Sequence, residues 1–152
     1  MAAIRELRRL AYSQEQMFDL VADVGRYAEF LPWVIATRVR ANSETEMLAD
    51  MVVGFAALRE KFSSRVVKDR PGTITVQYLA GPLKDLANVW QFRAVEGGCE
   101  VDFAVSFSFR SALFERLAGQ YFDRAFRKMV SAFEARAAQL YGSNSSSATR
   151  TA

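Results

Sequence analysis

The period of the apolar positions changes along the chain, and each change marks an element. Residues 1–12, with Ile4, Leu7 and Leu10 set among arginines, predict a strand. Ser13 with Gln16 three residues later forms a capping box, Tyr12 and Met17 take the two staple positions, and a helix follows. Met17, Leu20, Val21 and Val24 recur on one face of it. Asp23 and Gly25 break this helix, and residues 26–30 predict a second short helical turn. Pro32 ends that turn, because the residue before proline avoids the helical region.

The middle of the chain reads as strands over 34–41, 46–56, 59–68, 73–80, 87–95 and 99–110. Asn42-Ser43, Arg70-Pro71-Gly72, Gly81-Pro82 and Gly97-Gly98 supply turn signals between most of them. Links this short predict an antiparallel meander. Cys99, Val101, Phe103, Val105, Phe107 and Phe109 alternate with smaller or polar residues, so this strand has one buried face. A two-residue turn at Gly97-Gly98 would set Phe92 against Phe103, Trp90 against Val105, Asn88 against Phe107, and Arg93 against Asp102. Asn88 then stands as a polar side chain on an apolar, aromatic face.

From 112 to 141 the apolar set returns to helical spacing, with Ser111 as N-cap and Gly142 as the stop. Leu113, Leu117, Phe122, Phe126, Met129, Val130 and Phe133 belong to its broad apolar side. Residues 1–142 therefore predict one α+β domain. A curved antiparallel sheet wraps around a long C-terminal helix, two short helices follow the first strand, and residues 143–152 form a disordered tail.

Composition removes much chemistry. The chain has no histidine and one cysteine, so a histidine base, the usual triads and a zinc site built on His and Cys are excluded. Cys99 reads as a buried small hydrophobe, and a lone cysteine fits a reducing compartment. No Gly-rich phosphate loop occurs, and no paired carboxylates fall on an evident inner face. The net charge of +3 is spread over arginines interleaved with acids, which predicts no dedicated nucleic-acid patch. No run approaches the length of a membrane span, and the first residues lack the pattern of a signal or transit peptide. A cytoplasmic protein without catalytic residues, metal or cofactor is the expectation.

The connection Tyr27-Ala28-Glu29-Phe30-Leu31-Pro32-Trp33 is too apolar for a solvated link. Its Tyr27, Phe30, Leu31 and Trp33 either plug the open end of the sheet or wall a cavity for an apolar ligand. Tyr78, Trp90 and Phe107 on the strands and Phe122 and Phe126 on the helix are further candidates for ligand contact. Asn88 either satisfies backbone groups near Gly81-Pro82 or gives an amide donor to a carbonyl oxygen of the ligand. Arg65 faces the cavity or solvent according to a register that local pattern leaves open.

Several pieces in order carry a family likeness. They are Phe30-Leu31-Pro32-Trp33, Gly54-Phe55, Glu60-Lys61-Phe62-Ser63-Ser64-Arg65-Val66, Gly81-Pro82-Leu83-Lys84, Asn88-Val89-Trp90-Gln91-Phe92 and Ala132-Phe133-Glu134-Ala135-Arg136-Ala137. Together the chain resembles the coenzyme Q-binding protein family of the START-like, helix-grip superfamily, which includes polyketide cyclases and lipid-transfer domains. Ala28 and Val34 depart from residues common in that family. The resemblance implies non-catalytic binding of a polyprenyl quinone such as ubiquinone in support of respiratory electron transport. It also implies transient contact with the inner membrane, where the protein would be peripheral. A bacterial branch of ribosome-association toxins implies the alternative, inhibition through a ribosomal subunit. A cyclase or hydrolase, as elsewhere in the superfamily, would have to work with Asp, Glu, Tyr or Arg alone.

Overall fold

The alternating segments pair into one antiparallel sheet. The computed structural model describes residues 2–55, 58–113, 115–116, 124 and 127–142. Strands β1 (Ala2–Leu10), β2 (Val34–Asn42), β3 (Glu46–Phe55), β4 (Leu58–Asp69), β5 (Thr73–Ala80), β6 (Leu83–Val95) and β7 (Gly98–Phe109) lie in the order β1-β7-β6-β5-β4-β3-β2. Consecutive strands from β2 to β7 are neighbours, as short links require. Helix α1 (Gln14–Ala22) and a 3-10 helix (Val24–Glu29) separate β1 from β2. The C-terminal helix α2 (Met129–Tyr141) buries Met129, Val130, Phe133 and Ala137. The sheet curls around it, in the α+β helix-grip arrangement that the pattern predicts.

Local chemistry explains the element ends. Ser13 Oγ accepts from Gln16 N at 3.0 Å while Gln16 Oε1 accepts from Ser13 N at 2.9 Å, completing the capping box. Gly142 ends α2 at φ 86°, its N–H bonded to Ala138 O at 3.0 Å. Ser111 O accepts from Glu115 N at 2.9 Å, and Ala112, Leu113, Glu115, Arg116, Arg124 and Arg127 are helical. Phe122, Phe126 and the predicted tail at 143–152 lie outside the described residues.

The hairpin register differs from expectation. Its turn is Glu96-Gly97, with Gly97 at φ 82° and Val95 paired with Gly98. Each pair therefore shifts by two, so that Phe92 faces Val101, Trp90 faces Phe103 and Asn88 faces Val105. A shift of two leaves every side chain on its expected face, and Asn88 still points inward. The cause is steric. A Cβ at Gly98 would lie 1.9 Å from Leu10 O, so β1 requires a glycine inside β7 and only Gly97 is left to turn. Arg93 consequently meets Glu100, Nε to Oε1 at 3.1 Å, instead of Asp102. Strand β6 also begins at Leu83, four residues before the expected start, through an irregularity between Leu83 and Asp85.

Two carboxylates are buried on the outer face. Asp102 accepts a two-point bond from Arg5, at 3.1 and 2.8 Å. Asp50 accepts from Ser63 Oγ at 2.7 Å and from Arg40 Nε at 3.1 Å. The Arg5 hydrogen bonds hold Asp102 below its usual range, and the Ser63 hydroxyl, followed by the charges of Arg40 and Lys61, does so for Asp50. Arg65 lies on the same outer face, its Nε 2.8 Å from Glu46 Oε1, and does not enter the core.

A carboxylate with a lowered folded-state pKa stabilises above its unfolded value and ceases to do so as pH falls through the folded one. Acidification below the ordinary carboxylate range should therefore lower the melting temperature of the wild type. Asp102→Asn should melt below wild type at neutral pH, and the gap should narrow as pH falls; circular dichroism melts across pH would check this. A gap that stays constant with pH would show that Asp102 acts only through shape.

Candidate functional site

Helix α2 does not fill the curl of the sheet, and an apolar cavity of about 160 Å³ remains between them. Phe133 of α2 stands at its inner end. Its ring lies 5.1 Å from Trp90, 5.3 Å from Tyr27 and 5.1 Å from Phe30, each edge to face. Burial is complete on this side, where Leu31, Ile74, Phe103 and Phe133 are at most 1% exposed. The wall opens to half-exposed Trp33, Val53, Glu60, Pro82 and Phe109 at the other end, which is the mouth.

The expected residues divide between wall and support. Tyr27, Leu31, Trp33, Asn88, Trp90 and Phe107 line the cavity. Phe30 does not; it packs on Tyr27 and Phe133 beneath the Arg136 guanidinium, whose carbon is 5.2 Å from the ring centroid. Tyr78 also stays outside the lining, and its hydroxyl accepts from Leu83 N at 3.0 Å. The Tyr27 hydroxyl donates to Val21 O, and burial raises its phenol pKa. The apolar connection therefore serves as both plug and wall.

Polar capacity inside is scarce and placed by strand parity. Asn88 Nδ2 donates to Ala104 O at 2.9 Å, while its Oδ1 meets no donor among the described residues. Of the two readings of Asn88, the backbone one holds in altered form, since the amide bonds to β7 and not to the Gly81-Pro82 loop. Ser64, 7% exposed, lines the cavity with no hydrogen-bond partner among the described residues. Glu60 adds a carboxylate at the mouth. The sequence reading missed Ser64 and Glu60, although both share parity with the inward Phe62 and Val66 of β4.

One rim of the mouth is tightly packed. A Cβ at Gly81 would lie 2.7 Å from Phe62 Cβ and 2.9 Å from the Tyr78 hydroxyl, and its φ of 148° disfavours other residues. Cys99 is fully buried away from the cavity lining, and loss of solvation pushes its thiol up to about 11. Among the described residues, no group of three or more Asp, Glu or Cys side chains is arranged to hold a metal, and no helix is long and apolar enough to cross a membrane.

Residues 10–134 match the family model described as polyketide cyclase/dehydrase and lipid transport. The chain belongs to this family. Within it, the chain is 39% identical over 134 residues to the ribosome association toxin RatA of Pseudomonas aeruginosa, covering 88% of this chain and 93% of that protein. It is 35% identical over 142 residues to the mitochondrial coenzyme Q-binding protein COQ10 homolog B of Xenopus laevis, covering 90% of this chain and 58% of that one. The solution structure of the 18 kDa protein CC1736 from Caulobacter crescentus is 38% identical. It superposes with a TM-score of 0.75 over 93% of this chain and 99% of that one. The polyketide cyclase family thus includes relatives of both kinds that the sequence motifs resemble.

Removing the Phe133 ring should destabilise the domain by about 3–5 kcal/mol, since it deletes a fully buried aromatic. Urea denaturation of Phe133→Ala would measure it; a loss under about 1 kcal/mol would mean that the ring is not the keystone of the cluster.

Proposed function

We propose that this protein binds, without catalysis, a hydrophobic ligand that carries oxygen on a ring-sized head, with a polyprenyl quinone such as ubiquinone as the leading candidate. The observation that carries this reading is the Ser64 hydroxyl, a donor with no partner among the described residues, set in a wall that is mostly apolar. Size supports it as well. An apolar cavity of about 150 Å³ accepts a benzene-sized group, so the 160 Å³ here suits a ring. A polyprenyl tail would exceed that space and leave through the mouth. Each buried methylene contributes about 0.8 kcal/mol and one or two hydrogen bonds set orientation. The relative named for coenzyme Q binding supports the same ligand class. On this reading the protein handles a respiratory quinone and touches the inner membrane only in passing.

Solvent extraction and mass spectrometry of the purified protein should recover a prenylated quinone or a related lipid. Ser64→Ala should leave stability close to wild type, because no hydrogen bond among the described residues is lost, yet lower ligand retention severalfold. Protein that is repeatedly empty and takes up no quinone would overturn the reading.

A second reading, inhibition of ribosomal subunit association, is favoured by the match to nearly the full length of the RatA relative. Sucrose-gradient sedimentation with added protein decides it, since subunits should then accumulate at the expense of 70S particles. An unchanged 70S peak would remove it.

A further inference from the structure

We propose that the end of the molecule surrounding the cavity mouth is a docking surface for an anionic lipid bilayer. The inference rests on the reading of the cavity as a site for an apolar ligand, because such a ligand has to exchange with a lipid phase through the mouth.

Several strand ends meet there. Trp33 O accepts from Gly54 N at 2.9 Å, Gly54 pairs with Arg59, and Leu83 pairs with Phe109. Arg110 N reaches Pro82 O at 3.4 Å, and Gly81 packs against Lys61 O. Five cations are carried on these segments and on the helical turn that follows Arg110. They are Arg59, Lys61, Lys84, Arg110 and Arg116, all exposed. Among the described residues none of the five forms an ion pair. Arginines elsewhere are commonly tied to carboxylates, as Arg5 is to Asp102, Arg70 to Asp19 and Arg93 to Glu100.

The acids at this end are occupied or turned inward. Glu115 Oε2 accepts from Phe109 N at 2.6 Å, Asp85 accepts from Ser108 Oγ at 3.0 Å, and Glu60 lines the cavity. Exposed apolar side chains stand among the cations: Leu113 is 58% and Leu79 44% exposed, and Ile35 next to the mouth is 41% exposed. Cations ringing apolar tips match the surface of an anionic bilayer, where the charges face headgroups and the tips enter the acyl boundary. An RNA backbone would use the charges and leave the exposed leucines in water.

Co-sedimentation with vesicles tests the surface. Wild-type protein should bind phosphatidylcholine vesicles containing about a third phosphatidylglycerol at least tenfold more tightly than pure phosphatidylcholine, and about 0.5 M salt should release it. The triple variant R59E/R110E/R116E should lose that binding while keeping the wild-type melting temperature and its extracted lipid. Leu113→Glu, a single exposed change, should weaken binding severalfold. Equal binding to both vesicle types, unimpaired binding by the triple variant, or tighter binding to ribosomal RNA than to anionic vesicles would overturn the proposal. Protein that carries lipid yet ignores vesicles would refute the docking surface alone. Docking by protein that never retains a ligand would instead refute the ligand reading and leave the surface standing.

Discussion

The edge-to-face contacts of Phe133 with Trp90, Tyr27 and Phe30 hold the helix, the sheet and the apolar connection in one arrangement. Trp90 comes from β6, while Tyr27 and Phe30 both come from the segment between α1 and β2. Trp90 fixes the depth of the helix over β6, Tyr27 fixes the 3-10 segment, and Phe30 locks the connection beneath Arg136. Phe133 and Trp90 both line the cavity, so this cluster also forms one end of the space between helix and sheet.

The outer face obeys a different economy. Asp50 and Asp102 are buried among backbone and paired cations, and each spans a strand boundary: Asp102 joins β7 to β1, and Asp50 joins β3 to β2 and β4. These bonds tie strands at opposite edges of the sheet, β1 and β2, without involving the core. Shape inside and polar pairing outside thus control separate parts of the fold.

Much of the architecture was legible because its causes are local. The Ser13 capping box, the alternation of β7 and the stop at Gly142 each depend on neighbours within a few residues. The hairpin register was not legible, since it turns on Leu10 backbone lying against Gly98, a contact between distant segments. The site was legible in the same measure. Tyr27, Leu31, Trp33, Asn88, Trp90 and Phe107 stood out by residue type and parity, and all reach the cavity. Phe30 and Tyr78 have the same character but support the wall from behind, a difference of depth that period cannot encode. Ser64 was hidden by its chemistry, because a small hydroxyl in a strand reads as neutral until its neighbours are known.

Gly81 has a mechanical consequence. With Phe62, the Tyr78 hydroxyl and Lys61 O packed against it, and with Tyr78 also holding Leu83 N, this rim acts as a fixed door jamb. The facing side is held differently, by Thr37 Oγ1 donating to Gly25 O at 3.1 Å and Gly54 N donating to Trp33 O at 2.9 Å. A side chain at position 81 would press on Phe62 and on the Tyr78 hydroxyl at once, so this rim keeps its shape only while the residue there is glycine.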